Sequence, residues 1–167
     1  MNPTLTLVEK TVFLKSVEVL AQVPTEALAQ LAARAVEVRA EPGEVLLREG
    51  DEDQGTFIVV EGVVELQKDR TLVRVLKEGM AQGEMFLAEN EPHQYTAVAR
   101  APSLLLNLRR SDVQDAMLEY PEFGVAMVRD LALRLHRLTA RVVELERDEK
   151  IAPAPEASAE EKAIEPS

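Results

Sequence analysis

The stretch from Val36 to Gln67 reads VEVRAEPGEVLLREGDEDQGTFIVVEGVVELQ. Valine recurs along it, and glycines at 43, 50, 55 and 62 cut it into short pieces. Short Val-rich runs bounded by Gly and Pro mark β-strands joined by tight turns. The pattern continues downstream: LVRVL at 72–76 is a further strand, and KDRT between Gln67 and Leu72 is a hairpin turn. TAVARA and SLLLNL give two more strands on either side of Pro102. Regularly spaced short strands with glycine punctuation predict a barrel or sandwich.

Helical patterns flank this β region. Residues 10–36 read as two helices, one roughly Thr11–Leu20 and one opened by Pro24, with Glu26 in its first turn and Leu28, Leu31 and Ala35 on one face. Beyond Asn107, RRSDVQDAMLEYPEF carries a short helix with Ser111 as its expected N-cap and Pro121 as its end. A long helix then runs from about Glu122 to Glu149. Along it Val128, Leu131, Leu135, Leu138, Val142 and Leu145 alternate three and four residues apart, a heptad seam of about two and a half repeats. Its first half suits packing on the barrel, and its continuation past the last strand suits a partner helix, so a homodimer with a short coiled coil is expected. The organisation that follows is an N-terminal extension (1–9), one domain (10–149, including the helix at about 122–149) and a tail (150–167). The tail sequence, IAPAPEASAEEKAIEPS from Ile151, is acidic and rich in Pro and Ala, and is expected to be disordered.

Composition removes several function classes. The chain has 167 residues, 46% of them apolar, enough for one domain with a real core. With no cysteine, disulfides, thiolate catalysis and Cys-ligated metals are excluded, which fits a reducing cytoplasm. Glu9, Lys10, Lys15 and Glu18 interrupt the N-terminal apolar pattern, so no signal peptide or membrane span is expected. The net charge of −11 repels nucleic acid and anionic lipid. The one modest basic cluster, Arg134 to Arg141, lies on the long helix, with His136 outside the seam. Two histidines far apart cannot build a metal centre, and no P-loop or nucleophile motif is present. No cofactor, no metal site and no catalysis are expected.

The order of these elements resembles a cyclic nucleotide-binding domain, the family of the catabolite activator protein and the regulatory subunits of cAMP-dependent protein kinase. The stretches that carry the resemblance are PGEVLLREGDEDQGTFIVVEGVVEL, EGMAQGE and YPEFGVAMVRDLALRL, spanning about Phe13 to Leu138, with glycines 43, 50, 62, 79 and 83 where the family places turns. The resemblance implies a mainly β fold: a β-roll, or jelly-roll barrel, with N-terminal helices and a long C-terminal helix. Many relatives carry a helix-turn-helix after that helix. Only the short acidic tail follows here, so no DNA reader is expected.

It also implies a ligand cassette. In the family this segment reads roughly Phe-Gly-Glu, a short helix, then Pro-Arg-Ala-Ala/Ser-Thr, where Glu accepts from the ribose 2′-hydroxyl and Arg pairs with the cyclic phosphate. Here Gly83, Glu84, Pro92 and Thr96 match, while Gln82 replaces Phe and His93 replaces Arg. Gln94 and Tyr95 add bulk. The implied ligand-binding set is Gly83, Glu84, Met85, Pro92, His93, Gln94 and Thr96, with Tyr95 and Thr139 as possible base contacts. A short helix expected over Glu84–Glu89 would turn its N-terminus toward an anion. Arginine offers a permanent charge and a bidentate fork, whereas histidine is largely uncharged near neutral pH. Losing one charge-assisted hydrogen bond costs roughly 1.5–3 kcal/mol, about 10- to 150-fold in affinity. Two expectations follow: a cAMP, cGMP or related-anion sensor signalling through a dimerising helix to an unidentified downstream partner, or a degenerate domain acting only as a dimerising interaction module.

Overall fold

The computed structural model describes residues 4–52, 55–82 and 92–151. Among the described residues seven strands form two antiparallel sheets. The three-stranded sheet has the order β1 (Val36–Ala40), β7 (Ser103–Arg109), β3 (Gly55–Glu61). The four-stranded sheet has the order β2 (Val45–Leu47), β6 (Thr96–Ala99), β4 (Val64–Lys68), β5 (Thr71–Leu76). Helices α1 (Leu7–Ser16) and α2 (Thr25–Arg34) precede the strands, and α3 (Arg110–Glu119) and α4 (Pro121–Ile151) follow them. This is the mainly β roll with flanking helices expected from the sequence.

Two clusters explain why β3 and β7 are apolar on both faces. Phe57 and Val59 of β3 join Leu105 of β7 in an inter-sheet cluster with Val64, Leu66, Leu76 and Ala97. Their neighbours Ile58, Leu106 and Leu108 point the other way and meet Leu14, Leu28, Leu31 and Phe123 of the helices. A strand buried on both sides reads as a continuous apolar run instead of an alternation, as SLLLNL does. Gly43, Gly50, Gly62 and Gly79 all adopt positive φ between or beside strands, matching their reading as turns. The described residues divide into two compact units after Asp130. The first half of α4 contributes Phe123, Ala126 and Met127 to the helical cluster of the first unit. No helix among the described residues is long and apolar enough to cross a membrane.

Three local expectations are corrected. The first helix starts at Leu7, not Thr11, and ends at Ser16; Glu18–Leu20 forms a separate 3-10 turn. The cause is a capping box: the Glu9 backbone N–H donates to Thr6 Oγ1 at 3.2 Å, and the Thr6 backbone N–H donates to Glu9 Oε2 at 2.7 Å. Ser111 is not an N-cap. Strand β7 runs directly into α3 with Arg109 at the cap position and no side-chain cap, while Asp112 occupies the first turn. Pro121 opens α4, where its missing N–H costs nothing, and α3 has already closed at Glu119.

Candidate functional site

A cleft of about 550 Å³ lies in the first unit, with Leu47, Phe57 and Leu105 of the inter-sheet cluster as its apolar wall. Its polar lining includes Asp51, Thr56, Gln82, His93, Asn107 and Arg109. This volume is in the range that takes small ligands, roughly 300–1,000 Å³.

Backbone pairing brings the chain to this cleft from two directions. The segment after β5 runs along β3: the Val59 N–H donates to Met80 O at 3.0 Å, Gly79 N–H to Val59 O at 2.9 Å, and Gln82 N–H to Phe57 O at 2.9 Å. Gln82 is 6% exposed, and its carbonyl accepts from Thr56 Oγ1 at 2.6 Å. On the other side Pro92 bridges to Glu52. The His93 N–H donates to Asp51 O at 2.9 Å, and the His93 carbonyl accepts from the Gly50 N–H at 2.8 Å. The chain therefore leaves the described structure at one wall of the cleft, at Gln82, and re-enters beside another, at Pro92–His93.

Of the residues implied by the family cassette, Gly83, Glu84 and Met85, with the short helix expected after them, lie outside the described residues. His93 is half-buried in the cleft lining and Pro92 is exposed. Gln94 is half-buried. Tyr95 packs against the inter-sheet cluster. The Thr96 hydroxyl accepts from the Glu49 N–H at 3.1 Å, tying the start of β6 to the turn after β2. Thr139 lies in the second unit, exposed, its hydroxyl donating to Leu135 O at 2.9 Å. The Arg100 guanidinium, just after β6, is committed to β4: its Nε donates to Glu65 Oε2 at 2.7 Å. That bond also holds the Glu65 carboxyl below the usual carboxylate range.

The lining residues Asp51, Glu52, Thr56, Asn107 and Arg109 are not among those expected from the sequence. Asn107 and Arg109 follow Leu105 at a spacing of two along β7, and alternation puts all three on one face. Register pairs Asn107 with Phe57 and Arg109 with Gly55. SLLLNLRR carries the signal, but of its two arginines only Arg109 ends the strand, while Arg110 opens α3 as the helical reading of RRSDVQ expects.

Comparisons with known proteins agree with the fold. A cAMP-dependent protein kinase regulatory subunit of Yarrowia lipolytica is 34% identical over 83 residues, covering 50% of this chain and 22% of that protein; the match thus spans under a quarter of the relative. The sensor domain of the transcriptional regulator DNR from Pseudomonas aeruginosa superposes with a TM-score of 0.71 at 18% identity, over 80% of this chain and 93% of the other. The regulatory domain of Toxoplasma gondii PKA, crystallised with cAMP, gives 0.67 at 21% identity over 78% and 49%. The family model of the cyclic nucleotide-binding domain matches residues 37–120, from β1 through α3, and the chain belongs to the cyclic nucleotide-binding domain family.

Proposed function

We propose that this chain is a regulatory module that binds a cyclic nucleotide or a related anion in the cleft between its sheets and signals through a dimerising α4. The observation that carries this reading is the convergence of Gln82 and His93 on one cleft. A cAMP-dependent kinase subunit among its relatives makes cAMP the first ligand to test. Binding would bias the helical elements, provided the ligand prefers one arrangement over the other.

The competing reading, a degenerate domain that only dimerises, draws on His93 standing where the family has arginine. Calorimetric titration of the full chain with cAMP, then cGMP, decides between them. We expect saturable micromolar binding that Glu84→Ala abolishes. His93→Arg should tighten it about 10- to 150-fold, the worth of one charge-assisted hydrogen bond. Absence of heat at millimolar nucleotide in both wild type and His93→Arg would sink the sensor and leave the dimerising module.

A further inference from the structure

A cleft that takes an anion needs a cation, and the described residues leave few candidates. His93 is half-buried at the position where the family has arginine, and Arg100 is bound to Glu65. Among the described residues Arg109 is the one arginine or lysine that lines the cleft. It stands on the same face of β7 as Leu105 and Asn107, and its register partner is Gly55, which puts no side chain in front of it.

Its guanidinium is held by Asp112. Nε donates to Asp112 Oδ2 at 2.9 Å, and Nη2 to Asp112 Oδ1 at 3.3 Å. The Asp112 side chain is 6% exposed, and its Oδ1 is shared with Arg34 Nη1 at 3.5 Å. A buried carboxylate shared by two guanidiniums is held in place, so it positions Arg109. Asp112 takes two of the five N–H donors of the fork, and the others remain for a ligand. The Arg109 side chain is 70% exposed, so these donors are accessible.

We propose that Arg109, positioned by Asp112, is the cation with which this cleft recognises an oxyanion of its ligand, in place of the cassette arginine that His93 replaces. Asp51 and Glu52, exposed at the same cleft, set the rest of the specificity. They repel a bare anion and accept from hydroxyl donors, so the preferred ligand carries an oxyanion together with hydroxyl groups. This rests on the reading of the cleft as the ligand site but makes no use of residues 83–91.

Nitrogen-15 spectra of the full chain test it through the arginine Nε–H signals, with that of Arg109 identified by its loss in Arg109→Lys. The protein is titrated with cAMP and, separately, with inorganic phosphate at constant ionic strength. The Arg109 signal should shift saturably with both, at lower concentration for cAMP. Arg109→Gln should weaken cAMP binding about 10- to 100-fold, with Arg109→Lys between the two. Asp51→Asn with Glu52→Gln should tighten phosphate. If cAMP moves the His93 and Gln94 backbone signals but leaves Arg109 fixed, the nucleotide reading stands and this proposal falls. If phosphate moves Arg109 while cAMP moves nothing, the site is an oxyanion site and the nucleotide reading falls instead. An Arg109 signal unmoved by either anion overturns the proposal.

Discussion

Gly62 and Gly43 share a left-handed backbone, with φ of +98° and +89°, but not an environment. A Cβ on Gly43 would meet nothing within 4 Å. On Gly62 it would press into Ser103 Oγ and stand 2.6 Å from the Pro102 carbonyl oxygen. Gly43→Ala should therefore lose only the left-handed strain, about 1 kcal/mol, whereas Gly62→Ala must also push back the entry to β7 and should lose about 3 kcal/mol. Urea unfolding of the two variants checks this, and equal losses would mean that the approach of Gly62 to β7 is not close in solution. At this scale the sequence was only partly legible. His93 could be assigned to the cassette from its place after Pro92. Arg109 could not be assigned by motif, because the role proposed for it depends on which face of β7 it occupies and on a buried partner, Asp112, that looks like any helix-start carboxylate.

The β4–β5 hairpin shows how an element can form against its own turn chemistry. Lys68 pairs with Thr71, leaving Asp69 and Arg70 as a two-residue loop, both at positive φ (48° and 65°). Such a turn follows the twist of the strands and favours Asn-Gly. Here the strands impose it on an arginine, and Glu49 Oε2 steadies it by accepting from the Asp69 N–H at 3.2 Å. Relieving a left-handed residue recovers about 1–2 kcal/mol, while glycine gives back about 0.5–1 in chain entropy. Arg70→Gly should therefore stabilise the domain by about 0.5 kcal/mol, and Arg70→Val, β-branched at the same angle, should destabilise it. The urea midpoint should move up for the first variant and down for the second; midpoints moving the same way would refute the strain argument. Elements such as this hairpin were easy to place from sequence, because Val-rich runs and the polar KDRT between them agree. The boundaries that failed did so for local reasons. The start of α1 is set by Thr6 and Glu9, a Thr-x-x-Glu box that precedes the apolar pattern, and the start of α3 is set by β7, which leaves Ser111 nothing to cap.

At the scale of the whole molecule, the exposed apolar stripe on the long helix makes association the property to test. In the second unit Leu135, Leu138, Val142 and Leu145 are 67%, 64%, 52% and 49% exposed, at heptad spacing on a helix that reaches Ile151. A stripe of this kind costs free energy in water unless a partner covers it, and a second copy presents the same stripe in complementary register. Covering one leucine is worth about 2 kcal/mol. In a twofold dimer each substitution is made twice, so Leu138→Glu should weaken association by about 4 kcal/mol, close to 1,000-fold. Sedimentation of the wild type should give twice the chain mass at micromolar concentration, and of Leu138→Glu the mass of one chain. The far-ultraviolet spectrum should lose only the signal of a frayed helix end, because neither core cluster includes a residue beyond Met127. A wild type that sediments as a single chain would show that the seam does not pair with its own copy. An unpaired seam would also remove the dimer as the route of the proposed ligand signal, so any arrangement that bound ligand favours would have to lie within one chain.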